Sequence, residues 1–520
     1  KAGKRVRDRV QEERSALFAG PVSTRLGDLG VPTRSRDGPY LALERRSKLL
    51  ASFSSDVVEI PGQYLADVEP QMSLHSKISG IGPRYGIVQR PGLSRAQCRL
   101  TFIGDNGTRE SFLVQYCVPV VTPTDERAMQ LYHLTNRLLL QHRQSRRMNL
   151  QAHLPLIVPI APRVRLAREG TTFVSLAHIF ERDCDARGVN VLAPAIAMHD
   201  TIGAAGNPLL ADTEERRARR LGLYLSICDD LCNPALITEY LADRLPTAEA
   251  RWTVRNQLTK QWAMSSLLSH IFHIGNRGPS NFVFGVDTGN LLSLNFRPEY
   301  HRDTGRLLEA DHVPFRLTPA LQHMMSPIGV HGAFTETMLC MADGLHDKLD
   351  FMDDFSTLFF SSDMMPWYDN HVATLREQKK EGEEVVGEEA AGDSSSVKKT
   401  TKTKTNKAPK GKNGAGSADS SGGSSSSSSS SSSPCDRASP MRVLNFVETV
   451  DRNVCQVLQR IREVAPLDKP PAHDRTSCFT SNGSTTKLPS GLNQQIHHLI
   501  KVASSPENLS RQNTMWAPFF

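Results

Sequence analysis

No Cys-x-x-Cys pair occurs in the 520 residues, and the nine cysteines are scattered. That spacing argues against a disulfide framework and favours reduced thiols in a cytosolic or nuclear compartment. No apolar run approaches the roughly 18 residues of a membrane-spanning helix. The longest candidate, Leu154 to Ala161, is short and broken by Pro159. Neither charge sign dominates: the formal net charge is +7, modest for this length, and much of the basic excess lies in runs such as Arg5-Val6-Arg7-Asp8-Arg9 and Arg45-Arg46. The first residue is Lys1 rather than Met, as expected of an excerpt, so amino-terminal targeting is not addressed.

The most informative stretch runs from Gly275-Asn276-Arg277-Gly278-Pro279-Ser280-Asn281 to Leu294-Asn295-Phe296. Phosphoryl transfer needs an acid to orient the nucleophilic hydroxyl, an Asn to help hold one metal, and an Asp downstream for the other. Here only the Asn, Asn281, is present, and amides stand where carboxylates are needed. The apolar runs Phe282–Val286 and Leu291–Phe296 flank Asp287-Thr288-Gly289-Asn290, a hairpin signal that brings Asn295 beside Asn281. Before the loop, Val254, Leu258, Trp262, Leu267 and Ile271 recur at helical steps and predict one apolar face.

Six segments are expected. Residues 1–50 are basic and partly helical. Residues 51–170 are rich in short strands, with a hairpin at Gly104-Asp105-Asn106-Gly107 between Arg99–Ile103 and Ser111–Tyr116. From 171 to 375 helical patterning dominates, with Thr318-Pro319 as a helix start. Residues 376–439 are acidic, then carry seven lysines between Lys398 and Lys412, then an unbroken serine run. They cannot bury enough apolar surface to order, and a solvated linker is favoured over a nuclear-import or nucleic-acid patch. Residues 440–489 open with an apolar stripe, Val443, Leu444, Val447, Val450, Val454, Val457, Leu458 and Ile461. Residues 490–520 close the chain.

The central stretch resembles the kinase domain of the phosphatidylinositol 3-kinase-related protein kinases. Active members carry Gly-Asp-Arg-His-x-x-Asn and His-Ile-Asp-Phe-Gly, which align without gaps with Gly275–Asn281 and Ser293–Arg297. Asn276 then replaces the catalytic-loop Asp, Gly278 its His, Asn295 the metal-binding Asp and Arg297 the final Gly. Gln115, in Phe112-Leu113-Val114-Gln115, stands where the phosphate-side Lys is expected. The hinge aromatic is missing from Leu166-Ala167-Arg168-Glu169-Gly170. Val57–Tyr64 and Val313–Pro319, with Gln322-His323-Met324 and Pro327–Val330, are similar to a catalytically inactive branch of the family. Ile496 to Phe520 resembles the terminal FATC segment, with Asn508-Leu509-Ser510, Trp516 and Phe520 in the expected places.

The resemblance implies an α+β, bilobal protein-kinase-like domain of the phosphatidylinositol 3-kinase type: a strand-rich N-lobe, a helical C-lobe and a helical FATC segment. Leu509, Trp516 and Phe520 are then structural, packing on the kinase-like core. Losing one positioned acid or base costs about 10²–10⁴ in rate, and an amide carries no charge to hold Mg²⁺. With Gln115, Asn276, Gly278, Asn281 and Asn295 as the degenerate set, a pseudokinase without metal or cofactor is expected. The implied partners are subunits of histone acetyltransferase coactivator complexes and transcription activators in the nucleus, with no membrane and no direct sequence-specific nucleic acid. The alternative is a divergent serine/threonine kinase in which Asp125, Asp287 or another acid holds the metal; a phosphoinositide kinase is disfavoured. Gly80-Ile81-Gly82-Pro83 is a weak phosphate-loop candidate. His270 with His273, and Cys228 with Cys232, read as core or surface residues rather than metal ligands.

Overall fold

The computed structural model describes residues 40–64, 69–88, 97–116, 124–154, 156–161, 164–169, 172–203, 214–275, 277–294, 296–301, 304–308, 313–365, 367–369, 372, 440–464, 492–512 and 516–520. The chain divides into two units, residues 1–366 with 449–520, and residues 367–448. In the second, the rings of Tyr368 and Phe446 lie 4.8 Å apart. The stretch 376–439, expected as a disordered insert, and residues 1–39 lie outside the described residues.

The first unit opens with a seven-stranded antiparallel sheet. Its strands are β1 (Tyr40–Ala42), β2 (Ile78–Ile81), β3 (Arg84–Val88), β4 (Gln97–Gly104), β5 (Arg109–Tyr116), β6 (Ile157–Ala161) and β7 (Val164–Glu169). The order is β1-β3-β4-β5-β7-β6, with β2 also on β4. The expected hairpin is present: β4 pairs with β5 from Cys98↔Val114 to Ile103↔Arg109, and Gly107 takes the positive φ of +79° that its turn requires. One sheet face buries Phe102, Phe112 and Leu166 against Leu43, Ile60 and Tyr85.

Three expectations need correction here. Tyr40–Ala42, placed in the basic partly helical stretch, is a strand paired with β3, because Leu41 and Leu43 complete the sheet core. Gly80–Pro83 is no phosphate loop. β2 and β3 both run antiparallel to β4, Ile81 opposite Phe102 and Gly86 opposite Arg99, so these residues form a kink within one long strand. Pro83 has no N–H for the ladder and sits at the break, while Gly82 N still donates to Thr101 O at 2.8 Å. Finally, Leu166–Glu169 belongs to β7, paired with β5 as far as Ser111↔Glu169, so the stretch compared with a hinge is sheet; Gly170 lies outside the described residues.

Between β5 and β6 lie α1 (Thr124–Gln141) and α2 (Arg143–Arg147). His142 caps α2 and joins it to a later helix, its Nδ1 2.8 Å from Ser145 Oγ and its Nε2 3.1 Å from Asp343 Oδ2. The helical part comprises α3 (Leu176–Arg187), α4 (Ala193–Gly203), α5 (Glu214–Asp230), α6 (Leu236–Arg244), α7 (Ala248–Ile271), α8 (Pro319–Met324), α9 (Ala333–His346) and α10 over 349–365. After them come α11 (Pro440–Glu463), α12 (Leu492–Ser504) and α13 (Pro506–Ser510). No described helix is long and apolar enough to cross a membrane. Thr318 is the N-cap of α8 with Pro319 in its first turn, yet its hydroxyl makes no cap hydrogen bond. In α11, Val450, Val454, Val457, Leu458 and Ile461 are buried, whereas Val447 is 50% exposed, so the stripe is shorter than its pattern.

α7 starts at Thr247, whose side chain accepts from Ala250 N. Its apolar face is the expected one, and Val254, Leu258, Trp262, Leu267 and Ile271 are all buried. From Gln261 to Ile271 every residue is buried, serines included, which marks a central helix rather than an amphipathic surface one. Against it folds a second sheet of β8 (Phe173–Ser175), β9 (Phe282–Gly285) and β10 (Leu291–Ser293), ordered β10-β9-β8. The β9–β10 turn presses on α7 at Gly289, where φ is +71° and a Cβ would lie 2.4 Å from Val254 O. A Gly289→Ala substitution meets both the strained φ and the backbone wall, so a loss of about 1–3 kcal/mol is expected. Equilibrium denaturation should show a lower midpoint, and an unchanged midpoint would contradict this packing.

Candidate functional site

α7 ends at Ile271, and the chain turns through His273, whose φ is +54°. Ile274 then bridges Pro298, so the loop after the helix runs beside the stretch after β10. Pro279–Asn281 forms one 3-10 turn, closed by Asn281 N to Gly278 O at 3.0 Å. Asn281 is buried, and its carbonyl accepts from Leu294 N at 2.7 Å. The hairpin expected from its turn residues is present and returns Leu294 to Asn281. Asn276 and Asn295 lie outside the described residues, though their neighbours Gly275, Arg277, Leu294 and Phe296 are described. Gly278 has φ −60° and ψ 145°, angles open to any residue, so its conformation does not require glycine.

Arg277 points into the protein. It is 2% exposed, Nε donates to Ile274 O at 3.0 Å, Nη1 donates to Val313 O, and its guanidinium lies 4.9 Å from the centre of the Trp516 ring. Phe296 is likewise buried, 5.8 Å from the Tyr132 ring and 6.2 Å from that of Phe272. Ser265 on α7 meets Ser293 on β10 at 2.6 Å. The acids proposed as substitutes are placed differently. Asp287 sits in the hairpin turn, accepting from Thr172 Oγ1 at 2.8 Å, with β9 and then Val286 between it and Asn281, the strand alone spanning about 13 Å. Asp125 lies in the first turn of α1. Sequence patterning missed Glu299, an exposed residue whose carboxyl lies where a Cβ on Gly275 would come within 2.4 Å of it. The Ile274–Pro298 bridge and the bond from Leu308 N to Glu299 O at 2.8 Å put it there.

On the sheet, Gln115 lies half-buried on β5 opposite Arg165 of β7. Arg168, within the stretch compared with the hinge, is held by Glu110 through bonds of 2.9 and 2.6 Å.

The carboxyl-terminal segment is built into the helical part. Leu509, Trp516 and Phe520 are 1%, 8% and 2% exposed. Phe520 stacks on Phe180 at 3.9 Å, Tyr224 donates to Pro518 O at 3.2 Å, and the Cys228 thiol meets Phe519 O at 3.6 Å. Burial pushes that thiol up to about 11 and raises Cys232 as well, so both stay protonated at neutral pH. Arg316, 2% exposed, donates to Arg277 O at 3.2 Å, Ala517 O at 3.0 Å, Phe520 O at 2.7 Å and to Trp516 O. Arg316→Leu would strand these carbonyls, and hydrogen bonds to a charged group are worth about 1.5–3 kcal/mol each. Limited proteolysis should therefore release the terminal segment from the variant at protease levels that leave the parent intact.

His270 and His273 are both buried, and among the described residues no group of three His, Cys, Asp or Glu could hold a metal. His273 Nδ1 donates to Leu308 O at 3.1 Å. Burial, aided by Arg460, takes His273 from 6.5 down to about 4 and His270 well below 6.5. The folded rings stay neutral where unfolded ones protonate, so stability is full above pH 6.5 and falls as the pH drops towards about 4. For His273 the difference is roughly 3 kcal/mol. Urea midpoints measured at about pH 7.5 and about pH 5 should differ accordingly, and by less in His270→Leu.

Residues 122–368 match the family described as phosphatidylinositol 3- and 4-kinase. That match spans a little under half of the chain. The chain is similar to the transformation/transcription domain-associated protein of Mus musculus, at 27% identity over 309 residues, covering 58% of this chain and 12% of that protein. It is also similar to the SAGA complex/NuA4 acetyltransferase complex subunit TRA1 of Saccharomyces cerevisiae, at 25% identity over 330 residues, 60% of this chain and 9% of that one. The chain thus spans about a tenth of the length of these relatives. Among solved structures, the open conformation of CtTel1 superposes with a TM-score of 0.63 at 15% identity, over 98% of this chain and 15% of that one. The fold is that of a phosphatidylinositol 3-kinase-type kinase.

Proposed function

We propose that this chain is the non-catalytic, kinase-like portion of a histone acetyltransferase coactivator subunit. In this reading it is nuclear, helps hold acetyltransferase subunits together and brings the complex to transcription activators. The observation that carries it is Asn276, an amide at the acid's place in a loop otherwise of kinase layout, with Asn295 and Gln115 altered in the same sense. Each lost group removes charge that phosphoryl transfer relies on, and metal charge at the transferring group supplies several kcal/mol. The names of the relatives support the complex: the yeast protein is a subunit of SAGA and NuA4 acetyltransferase complexes. A fold of this kind without its reactive groups serves as a surface.

Glu299 favours a second reading, a divergent kinase, because it sets a carboxylate against Gly275. Phosphate transfer from radiolabelled ATP with Mg²⁺ or Mn²⁺ separates the two. No transfer above background is expected; transfer abolished by Asn281→Ala or Glu299→Gln would establish the enzyme. Purification of the tagged endogenous protein should bring histone acetyltransferase activity with it, and its absence would remove the coactivator reading.

A further inference from the structure

Where the long strand kinks at Gly82–Pro83, the chain leaving β1 crosses over it. Leu43 N donates to Pro83 O at 2.9 Å. A 3-10 turn follows at Leu43–Arg45, then one helical turn, Lys48–Ala51, opened by Ser47, whose side chain accepts from Leu50 N. Leu43 itself joins the sheet core, but the crossing leaves a cavity of about 570 Å³ against the kink, a size usual for ligand clefts. Ile81 is the one buried residue of its lining and so lies deepest, and Ala42, Ala51 and Pro83 supply the rest of its apolar wall. It is lined by no residue of β4, β5 or β7 and by none of the loop Gly275–Asn281, so it is separate from the kinase-like site.

The charge around this recess is uneven. Lys48 from the helical turn and Arg84 from β3 line it against a single carboxylate, Glu44. Both cations are exposed, and among the described residues neither side chain has an ion-pair or hydrogen-bond partner. Arg46, in the same stretch, is by contrast engaged, its Nε donating to the Tyr85 hydroxyl at 3.0 Å. Leu49, next to Lys48, is 77% exposed. An apolar recess under unpaired cations, with a bare leucine beside it, complements a segment that carries acids around an apolar side chain. Among the described residues no aromatic lines the recess, so a base would have nothing to stack on, which favours a peptide over single-stranded nucleic acid.

We propose that this recess docks an acidic peptide segment, with one apolar side chain seated on Ile81 between Ala42, Ala51 and Pro83, and flanking carboxylates on Lys48 and Arg84. Glu44 repels a ligand that is acidic throughout, so the apolar anchor is required and charge alone does not suffice. The site asks nothing of Asn276 or Asn295, and it stands whether or not the chain belongs to a coactivator complex.

Fluorescence anisotropy on the full chain tests this with a labelled short peptide in which Asp and Glu flank a central pair of leucines. The peptide should bind, and replacing its leucines by alanine should weaken binding by about tenfold. Lys48→Glu with Arg84→Glu should weaken it by about tenfold or more. Ala51→Phe, which fills the recess without changing charge, should weaken it by about fivefold or more. Arg146→Glu with Arg147→Glu makes the same change of net charge on exposed residues of α2 that do not line the recess, and at physiological salt should leave affinity within about twofold. Every residue substituted is exposed, and circular dichroism reports the fold. No binding at millimolar peptide would overturn the proposal, as would equal binding of the alanine peptide or an equal loss in the α2 variant. An oligothymidylate that binds as tightly as the peptide would also overturn it and point to nucleic acid. Should the Lys48, Arg84 variant fail to fold, Ala51→Phe decides, and an unchanged affinity there counts against the site.

Discussion

Arg316 is the point on which the helical part turns. Burying a guanidinium is unfavourable unless its donors are met, and here both Nη nitrogens are met by carbonyls from two distant places: Arg277 in the loop, and Trp516, Ala517 and Phe520 at the carboxyl end, while Nε is buried without a partner. Burial pulls its pKa down to about 9, still well above neutrality, so the cation persists. Its own carbonyl accepts from Trp262 Nε1 at 3.0 Å, which fastens the same residue to α7. Helix, loop and terminal segment are therefore coupled through one residue, the helix by its carbonyl and the other two by its guanidinium, and Arg277 over Trp516 adds a second link between loop and terminal segment.

That coupling explains how a kinase-like loop keeps its shape when its reactive groups differ. The loop is held by backbone bonds and buried residues: Asn281 N to Gly278 O, Leu294 N to Asn281 O, the Ile274–Pro298 bridge, and Arg277 turned inward. None of these asks for a carboxylate at 276 or 295. Fold and chemistry rest on different atoms, so one can change while the other stays.

Much of this was legible from patterning. The 3.6-residue recurrence in α7 and the Asp-Asn-Gly and Thr-Gly-Asn turns lead straight to the helix and both hairpins, because local periodicity and turn chemistry encode them. Gly80–Pro83 misled because two glycines and a proline also mark a kinked strand, and only β4 alongside tells the two apart. The polar residues of the second half of α7 gave no sign of burial, since Gln261 is buried by bonds to Gln151 O and His153 N, more than a hundred residues away in sequence.

By itself, then, the order of residues determined where helices and turns begin, since these depend on neighbours along the chain, while the amides in place of acids and the packing of the terminal aromatics were legible only through the family resemblance. Only tertiary structure decided that Arg165 stands beside Gln115, that Glu299 lies against Gly275, and that Arg316 gathers the terminal carbonyls. Each of those meetings joins separate segments, and register, burial and hydrogen-bond satisfaction exist only once the segments are packed together.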